Sequence, residues 1–98
     1  MNFGTVLLKK DLTLDGVKIK ASDKIFGMIT AFLPGEDETY AVYLDERKVE
    51  LPNSKPWITY HDFKTFIDQF SVISIAPEFT EVLNELLDKH GLEKINWE

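Results

Sequence analysis

The pattern of apolar and polar positions divides this chain into two halves. In the first, β-branched and aromatic residues gather into short alternating runs. The clearest is Ile25-Phe-Gly-Met-Ile-Thr-Ala-Phe-Leu33, followed by the polar segment Pro34-Gly-Glu-Asp-Glu38 and then Thr39-Tyr-Ala-Val-Tyr-Leu44. Such side chains pack on a pleated surface and Pro-Gly reverses the chain, so residues 25–44 are predicted to form a β-hairpin with an acidic tip. Upstream, residues 5–8 read as a first strand. Leu12-Thr-Leu14 and Val17-Lys-Ile19 alternate around Asp15-Gly16, a pair suited to the two positive φ angles of a type I′ turn. Residues 21–24 are a polar link, 45–48 another turn and 49–51 one more short strand. Pro52 and Pro56 bracket a loop, because neither can donate to a ladder.

After residue 58 the period changes. Thr59 is placed to cap a helix, with Asp62 three residues on as a weak capping box. Phe63, Phe66, Ile67 and Phe70 follow at i, i+3, i+4 and i+7, leaving His61, Thr65, Asp68 and Gln69 on the other side, which predicts an amphipathic helix with an aromatic inner face. Residues 71–76 are a short apolar run, read as a strand closing the sheet. Pro77 opens a second helix from the position where its missing N–H costs nothing. Phe79, Val82, Leu83, Leu86 and Leu87 form its apolar stripe, Lys89 and His90 suit the negative end of its dipole, and Gly91 terminates it. Leu92, Ile95 and Trp97 give the tail three apolar anchors. Phe63, Phe66, Phe70, Phe79, Leu83 and Leu86 are the predicted core of this half.

Composition narrows the class. Ninety-eight residues, 44% hydrophobic and 12% aromatic, suit one folded domain with a radius of gyration of about 13 Å. There is no cysteine, so disulfides, thiolate metal sites and cysteine nucleophiles are excluded together, and a reducing compartment fits. The N-terminal apolar stretch is short and its lysines follow it, the wrong order for a signal peptide. No run approaches the ~20 apolar residues of a membrane span. The expectation is a soluble, cytoplasmic protein with no membrane partner. The net charge is −6, with the five lysines Lys9, Lys10, Lys18, Lys20 and Lys24 concentrated in the first quarter and acids in excess beyond it. DNA or an anionic membrane is repelled by most of such a surface, and a basic protein is attracted.

Catalytic chemistry finds little support. His61 and His90 lack the paired spacing of a zinc motif, and Glu36, Asp37 and Glu38 lack the alternation and central glycine of a calcium loop. Ser22, Ser54, Ser71 and Ser74 sit in no Gly-x-Ser-x-Gly elbow, and the glycines are scattered. We therefore expect no enzymatic activity, metal or cofactor. The acids are more suggestive. Glu78, Glu81, Glu85 and Asp88 recur at i, i+3, i+7 and i+10, one stripe away from the apolar one. Glu81 and Glu85 are a like-charge i,i+4 pair, and only Glu85–Lys89 offers relief within the helix. With Glu36, Asp37, Glu38, Asp45 and Glu46 they form a candidate docking surface for a basic protein. Trp57 and Tyr60, at the loop–helix junction, are candidate anchors or plugs between sheet and helix. An alternative uses the N-terminal lysines with Tyr40, Tyr43, Trp57 and Tyr60 to bind nucleic acid, although Tyr40 and Tyr43 fall on opposite faces of an unbulged strand. A third reading is a structural subunit whose Trp97 tail pairs with a second copy as a homodimer.

Residues 7–51 resemble a small bacterial SH3-like barrel. The segments that carry the likeness are Leu7-Leu-Lys-Lys-Asp-Leu-Thr-Leu-Asp-Gly-Val17, Ser22-Asp-Lys24 before Ile25-Phe-Gly-Met-Ile29, and Tyr40-Ala-Val-Tyr-Leu44. The resemblance implies an interaction module. The fold expected is α+β, a small strongly bent antiparallel sheet or SH3-like barrel with two helices in the C-terminal half. It forms one domain over 1–98, mainly β over 1–58 and then helix, short strand, helix and tail over 59–98. The function expected is non-enzymatic protein binding, in its concrete form an acidic neutraliser such as an immunity protein, antitoxin or phage-type inhibitor.

Overall fold

A computed structural model describes residues 2–97. Seven strands and two helices follow one another as β1 Gly4–Leu8, β2 Leu12–Leu14, β3 Val17–Ile19, β4 Phe26–Leu33, β5 Thr39–Leu44, β6 Trp57–Tyr60, α1 Phe63–Gln69, β7 Phe70–Ile75 and α2 Thr80–Lys89. Short 3₁₀ turns occupy Ala21–Asp23 and Pro77–Phe79. Five strands make one antiparallel sheet in the order β6-β5-β4-β1-β7, and β2–β3 is a separate two-stranded ribbon. No sheet closes, with β6 and β7 as free edges, so the barrel implied by the resemblance is not confirmed. The radius of gyration is 13.3 Å. Among the described residues no helix is long and apolar enough to cross a membrane.

The turns follow their residues. Asp15 and Gly16 take φ of 52° and 77°, as the ribbon turn requires. At the tip of the β4–β5 hairpin Gly35 and Asp37 have φ of 107° and 54°.

One face of the large sheet is the core. Val6, Leu8, Ile29, Phe32, Tyr40, Val42 and Leu44 all lie within 2% of complete burial, against Phe63, Phe66 and Ile67 of α1 and Leu83 and Leu87 of α2. Two bulges keep this face apolar. Thr30 is skipped where β4 pairs β5, so Ile29 and Phe32 both point inward despite their odd spacing. Ile73 is skipped where β7 pairs β1, so Phe70 and Ile75 do the same. A bulge adds one unpaired residue and shifts side-chain parity beyond it.

Several expectations are corrected. Thr59 does not cap a helix: residues 57–60 are the edge strand β6, which buries Tyr60 against the core. Asp62 is the N-cap, its carboxylate accepting from the Thr65 N–H at 3.0 Å and the Thr65 hydroxyl at 2.8 Å. Phe70 belongs to β7, because the helix ends at Gln69 and the chain turns directly into the strand. Residues 49–51 form no strand; Val49 is buried, but its N–H closes the turn onto the Asp45 carbonyl. Phe79 and Leu86 are half-buried rather than central, whereas Phe63, Phe66, Phe70 and Leu83 are fully enclosed. Pro77 starts a 3₁₀ turn that precedes α2.

The end of α2 matches its residues. Gly91 has φ 71°, the Gly91 N–H reaches the Asp88 carbonyl and the Leu92 N–H reaches Leu87, the two bonds of a Schellman motif. The tail then lies against the domain, with Leu92, Ile95 and Trp97 packed on the core. Asn84 grips Ile95, donating to its carbonyl at 2.9 Å and accepting from its N–H at 2.8 Å.

Candidate functional site

Helices cover one face of the five-stranded sheet and leave the other open. Pairing fixes which residues the open face carries. Leu7 lies opposite Phe26, Met28 opposite Tyr43, and Tyr43 opposite Trp57, and all five alternate with core residues along their strands. Phe26 is 45% exposed, Trp57 50% and Leu33 60%. The rings of Tyr43 and Trp57 meet edge to face at 5.4 Å, an arrangement favoured by their quadrupoles. A shallow hollow of about 390 Å³ lies among Phe26, Gly27, Met28, Tyr43 and the turn Asp45-Glu46-Arg47.

This face holds no charge. Not one residue of β1, β4, β5, β6 or β7 is Asp, Glu, Lys or Arg, in a chain that is 29% charged. The charged groups collect at the two ends of the sheet, with opposite bias. The connections at the end where β4 finishes and β5 begins carry Glu36, Asp37, Glu38, Asp62 and Glu78, with no lysine or arginine among residues 34–38, 61–62 and 76–79. The opposite end is net basic. There Lys9, Lys10, Lys18, Lys20 and Lys24 precede β4 together with Asp11, Asp15 and Asp23, and Arg47, Lys48 and Lys55 follow β5 together with Asp45, Glu46 and Glu50.

The turn after β5 is the ordered rim of the open face. Asp45 accepts from the Arg47 N–H at 3.1 Å and from its guanidinium at 3.0 and 3.1 Å. The guanidinium bonds and then the N–H hold the Asp45 carboxyl below its ordinary range. Glu46 accepts from the Tyr43 hydroxyl at 2.7 Å and lies 3.7 Å from Lys55. This hydrogen bond raises the Tyr43 phenol above its ordinary value and fixes the ring on which Trp57 rests.

The expected site residues therefore do not form one surface. Asp45, Glu46 and Trp57 come together on the open-face rim. Tyr60 does not join them: it is half-buried on the core side, 6.2 Å from Phe66 and 6.1 Å from Phe70 between ring centroids, and burial pushes its phenol up to about 12. It plugs sheet against helix; Trp57 does not. Glu36 and Asp37 are exposed at the hairpin tip, while Glu38 is half-buried and accepts from the Tyr40 hydroxyl at 2.8 Å. Burial and then this bond raise the Tyr40 phenol strongly. The four aromatics of the nucleic-acid alternative split in the same way, Tyr40 and Tyr60 inward and Tyr43 and Trp57 outward.

Glu78, Glu81, Glu85 and Asp88 are all exposed, on the helix-covered side of the sheet and so away from the open face. Among the described residues none of them makes an ion pair, and the Glu85–Lys89 pair does not form; the i,i+4 pair is Lys64–Asp68 on α1, at 2.7 Å. No group of three or more metal-ligating side chains occurs among the described residues. His61 lies at the acidic tip, its Nδ1 3.2 Å from the Glu38 carbonyl, and His90 closes α2 with Nδ1 2.9 Å from the Leu86 carbonyl.

Phe26 and Met28 are not among the expected site residues, and Tyr43 is expected only in the nucleic-acid alternative. The available signal was parity: Phe26 and Met28 alternate with Ile25, Gly27 and Ile29, and both registers are apolar. Comparison with protein-family models, with characterised proteins and with solved structures finds no match to this chain.

Proposed function

We propose that this chain is a non-enzymatic protein-binding module and that it binds through the open face of its sheet. One observation carries this reading: among the positions that alternate with the core, where a one-sided antiparallel sheet places polar residues, Leu7, Phe26, Met28, Tyr43 and Trp57 stand beside the uncharged hydroxyls of Thr5, Thr39, Thr59, Ser71 and Ser74, with no charge among the strands. Rigid aromatic side chains lose little entropy on contact, and they dominate the energetics of protein interfaces. Lacking cysteine, the module suits the cytoplasm.

A second reading concerns the acidic helix. Among the described residues Glu78, Glu81, Glu85 and Asp88 stand exposed without ion pairs, so none offsets the Glu81/Glu85 repulsion. This favours the neutraliser form of the function, in which an immunity protein, antitoxin or phage-type inhibitor masks a basic site.

Both are tested by immobilising the full chain and recovering proteins from native extract at low and high salt. The open-face reading expects a protein retained at high salt and lost with Trp57→Glu. The neutraliser reading expects a basic protein shed by salt and lost with the double change Glu81→Lys, Glu85→Lys. Recovery indifferent to both variants, or abolished by nuclease, overturns both.

A further inference from the structure

We propose that the occupant of the open face is a second copy of this chain, stacked face to face with the strands of the two sheets reversed end for end. The proposal names the partner for the protein-binding reading above and rests on it.

Three features of the face select this occupant. First, two copies meet there without desolvating a charge, because the strands have none, and an unpaired buried charge is the most damaging feature an interface can contain. Elsewhere on the surface a chain of net charge −6 repels itself. In this stack the acidic stripes of α2 lie on the two outer sides, as far apart as the assembly allows.

Second, the ends of the sheet are complementary. The hairpin tip with Glu36 and Asp37 is acidic, while the other end is net basic: Lys9, Lys10, Lys18, Lys20 and Lys24 outnumber Asp11, Asp15 and Asp23, and Arg47, Lys48 and Lys55 are balanced by Asp45, Glu46 and Glu50. A two-fold axis lying across the strands sets each tip against the basic end of the other copy. An axis along the strands sets like ends together and is disfavoured by the same charges.

Third, the relief of the face fits itself under that axis. The large side chains Met28, Tyr43 and Trp57 form one row toward the basic end of β4, β5 and β6, the small ones Ala31, Ala41 and Thr59 form the matching row toward the acidic end, and Phe26 and Leu33 lie at the two outer ends of β4. The axis lays each strand over its own counterpart. With the axis at the level of Ile29, Val42 and Ile58, Trp57 faces the second copy's Thr59, Tyr43 its Ala41 and Met28 its Ala31, large against small, while Phe26 meets its Leu33, apolar against apolar. Stacked sheets interdigitate in this manner with about 10 Å between them. Five strands give a face roughly 24 Å across and roughly 20 Å long, at the small end of specific interfaces, so the dimer is expected to be reversible.

Sedimentation equilibrium from 10 µM to 1 mM, roughly the range in which small interfaces associate, provides the test. The wild-type mass should rise from 11.3 kDa toward twice that value, and Trp57→Glu should weaken association at least about tenfold, with circular dichroism confirming that the variant is folded. Zero-length carboxyl–amine cross-linking reads the orientation. Glu36 and Asp37 are separated from Lys10 and Lys55 by the length of β5, about 20 Å, so a link between these groups in the dimer band places them on different copies. Should Trp57→Glu fail to fold, the cross-link still decides. A wild-type chain monomeric at 1 mM overturns the second copy and leaves the protein-binding reading to the extract experiment. A dimer that survives Trp57→Glu, or one lacking the tip-to-lysine link, also overturns it.

Discussion

Asn84 is the single residue on which the placement of the C-terminal tail most depends. Its amide acts as a piece of backbone, donating to Ile95 O at 2.9 Å and accepting from Ile95 N at 2.8 Å in half-buried surroundings. Past the Leu92 N–H, no other main-chain bond among the described residues holds the tail. Asn84→Ala removes both bonds. At about 1 kcal/mol for each neutral hydrogen bond, the tail's closure weakens by about 2 kcal/mol, which multiplies its open population about 30-fold. The contacts of Leu92, Ile95 and Trp97 remain, so the change is a local opening more than global unfolding. Trypsin measures it, because Lys94 is exposed and cleavage after it requires a detached, extended segment. With opening faster than cleavage the rate follows the open population, so cutting after Lys94 should accelerate about 30-fold while cutting elsewhere is unchanged. Asn84→Asp sharpens the test: it keeps an acceptor for the Ile95 N–H but sets a carboxylate against the Ile95 carbonyl, and should open the tail at least as far. Cleavage after Lys94 no faster in Asn84→Ala than in the wild type would refute the assignment.

Three further outcomes follow from the packing. Phe66 is fully buried and stacks on Tyr40 at 5.3 Å; Phe66→Ala should cost about 3–5 kcal/mol in denaturant unfolding, and a loss under about 1 kcal/mol would deny it a central place in the core. Asp62→Ala should lower the thermal midpoint by a few degrees at neutral pH. The Thr65 hydroxyl and then the Thr65 N–H hold the Asp62 carboxyl below its ordinary range, so its contribution is complete above the unfolded value of about 3.9 and is lost as pH falls through the lower folded one. The gap between wild type and variant should therefore close in acid; a gap that widened there would contradict the cap. Gly4→Ala should destabilise by about 1–3 kcal/mol in the same unfolding assay, since a Cβ at Gly4 strikes the Ser74 carbonyl beside the β7 bulge, and full tolerance would mean that β1 and β7 lie farther apart.

Much of the fold was readable because local rules and tertiary packing agree. Asp15-Gly16, the 25–44 hairpin and the Gly91 stop each depend on a few neighbouring residues whose conformational preferences are strong. The errors fall where a long-range demand wins. Thr59 is an adequate cap in isolation, but the 57–60 segment can also bury Ile58 and Tyr60 while hydrogen-bonding along β5, and that burial outweighs one cap bond. Phe70 continues the helical period of Phe63, Phe66 and Ile67, yet at the start of β7 it reaches the same core from the sheet. The bulges at Thr30 and Ile73 leave a parity break in the apolar pattern, visible only once the partner strand is known.

The open face was harder to read because its signal is an absence. Attention goes to acids at regular spacing, and the stripe on α2 and the turn after β5 stand out accordingly. Residues 26–33 and 39–44 lack charge in both registers, which in a strand indicates apolar cover on both sides. The cover available in this chain is α1, with 7 residues, and α2, with 10, and both lie on one side. Wrapping the second face as well would take another helical layer, and the described residues hold none. A sheet composed for two covers, with one supplied by the described residues, is the physical basis for seeking the second cover in another molecule. Because the charges displaced from the strands sit at opposite ends with opposite bias, reversing Glu36 and Asp37 to lysine should weaken self-association at low salt and matter little at high salt, where separations beyond about 10 Å are screened. Association unaffected by that reversal at low salt would remove the electrostatic argument and leave only the apolar face.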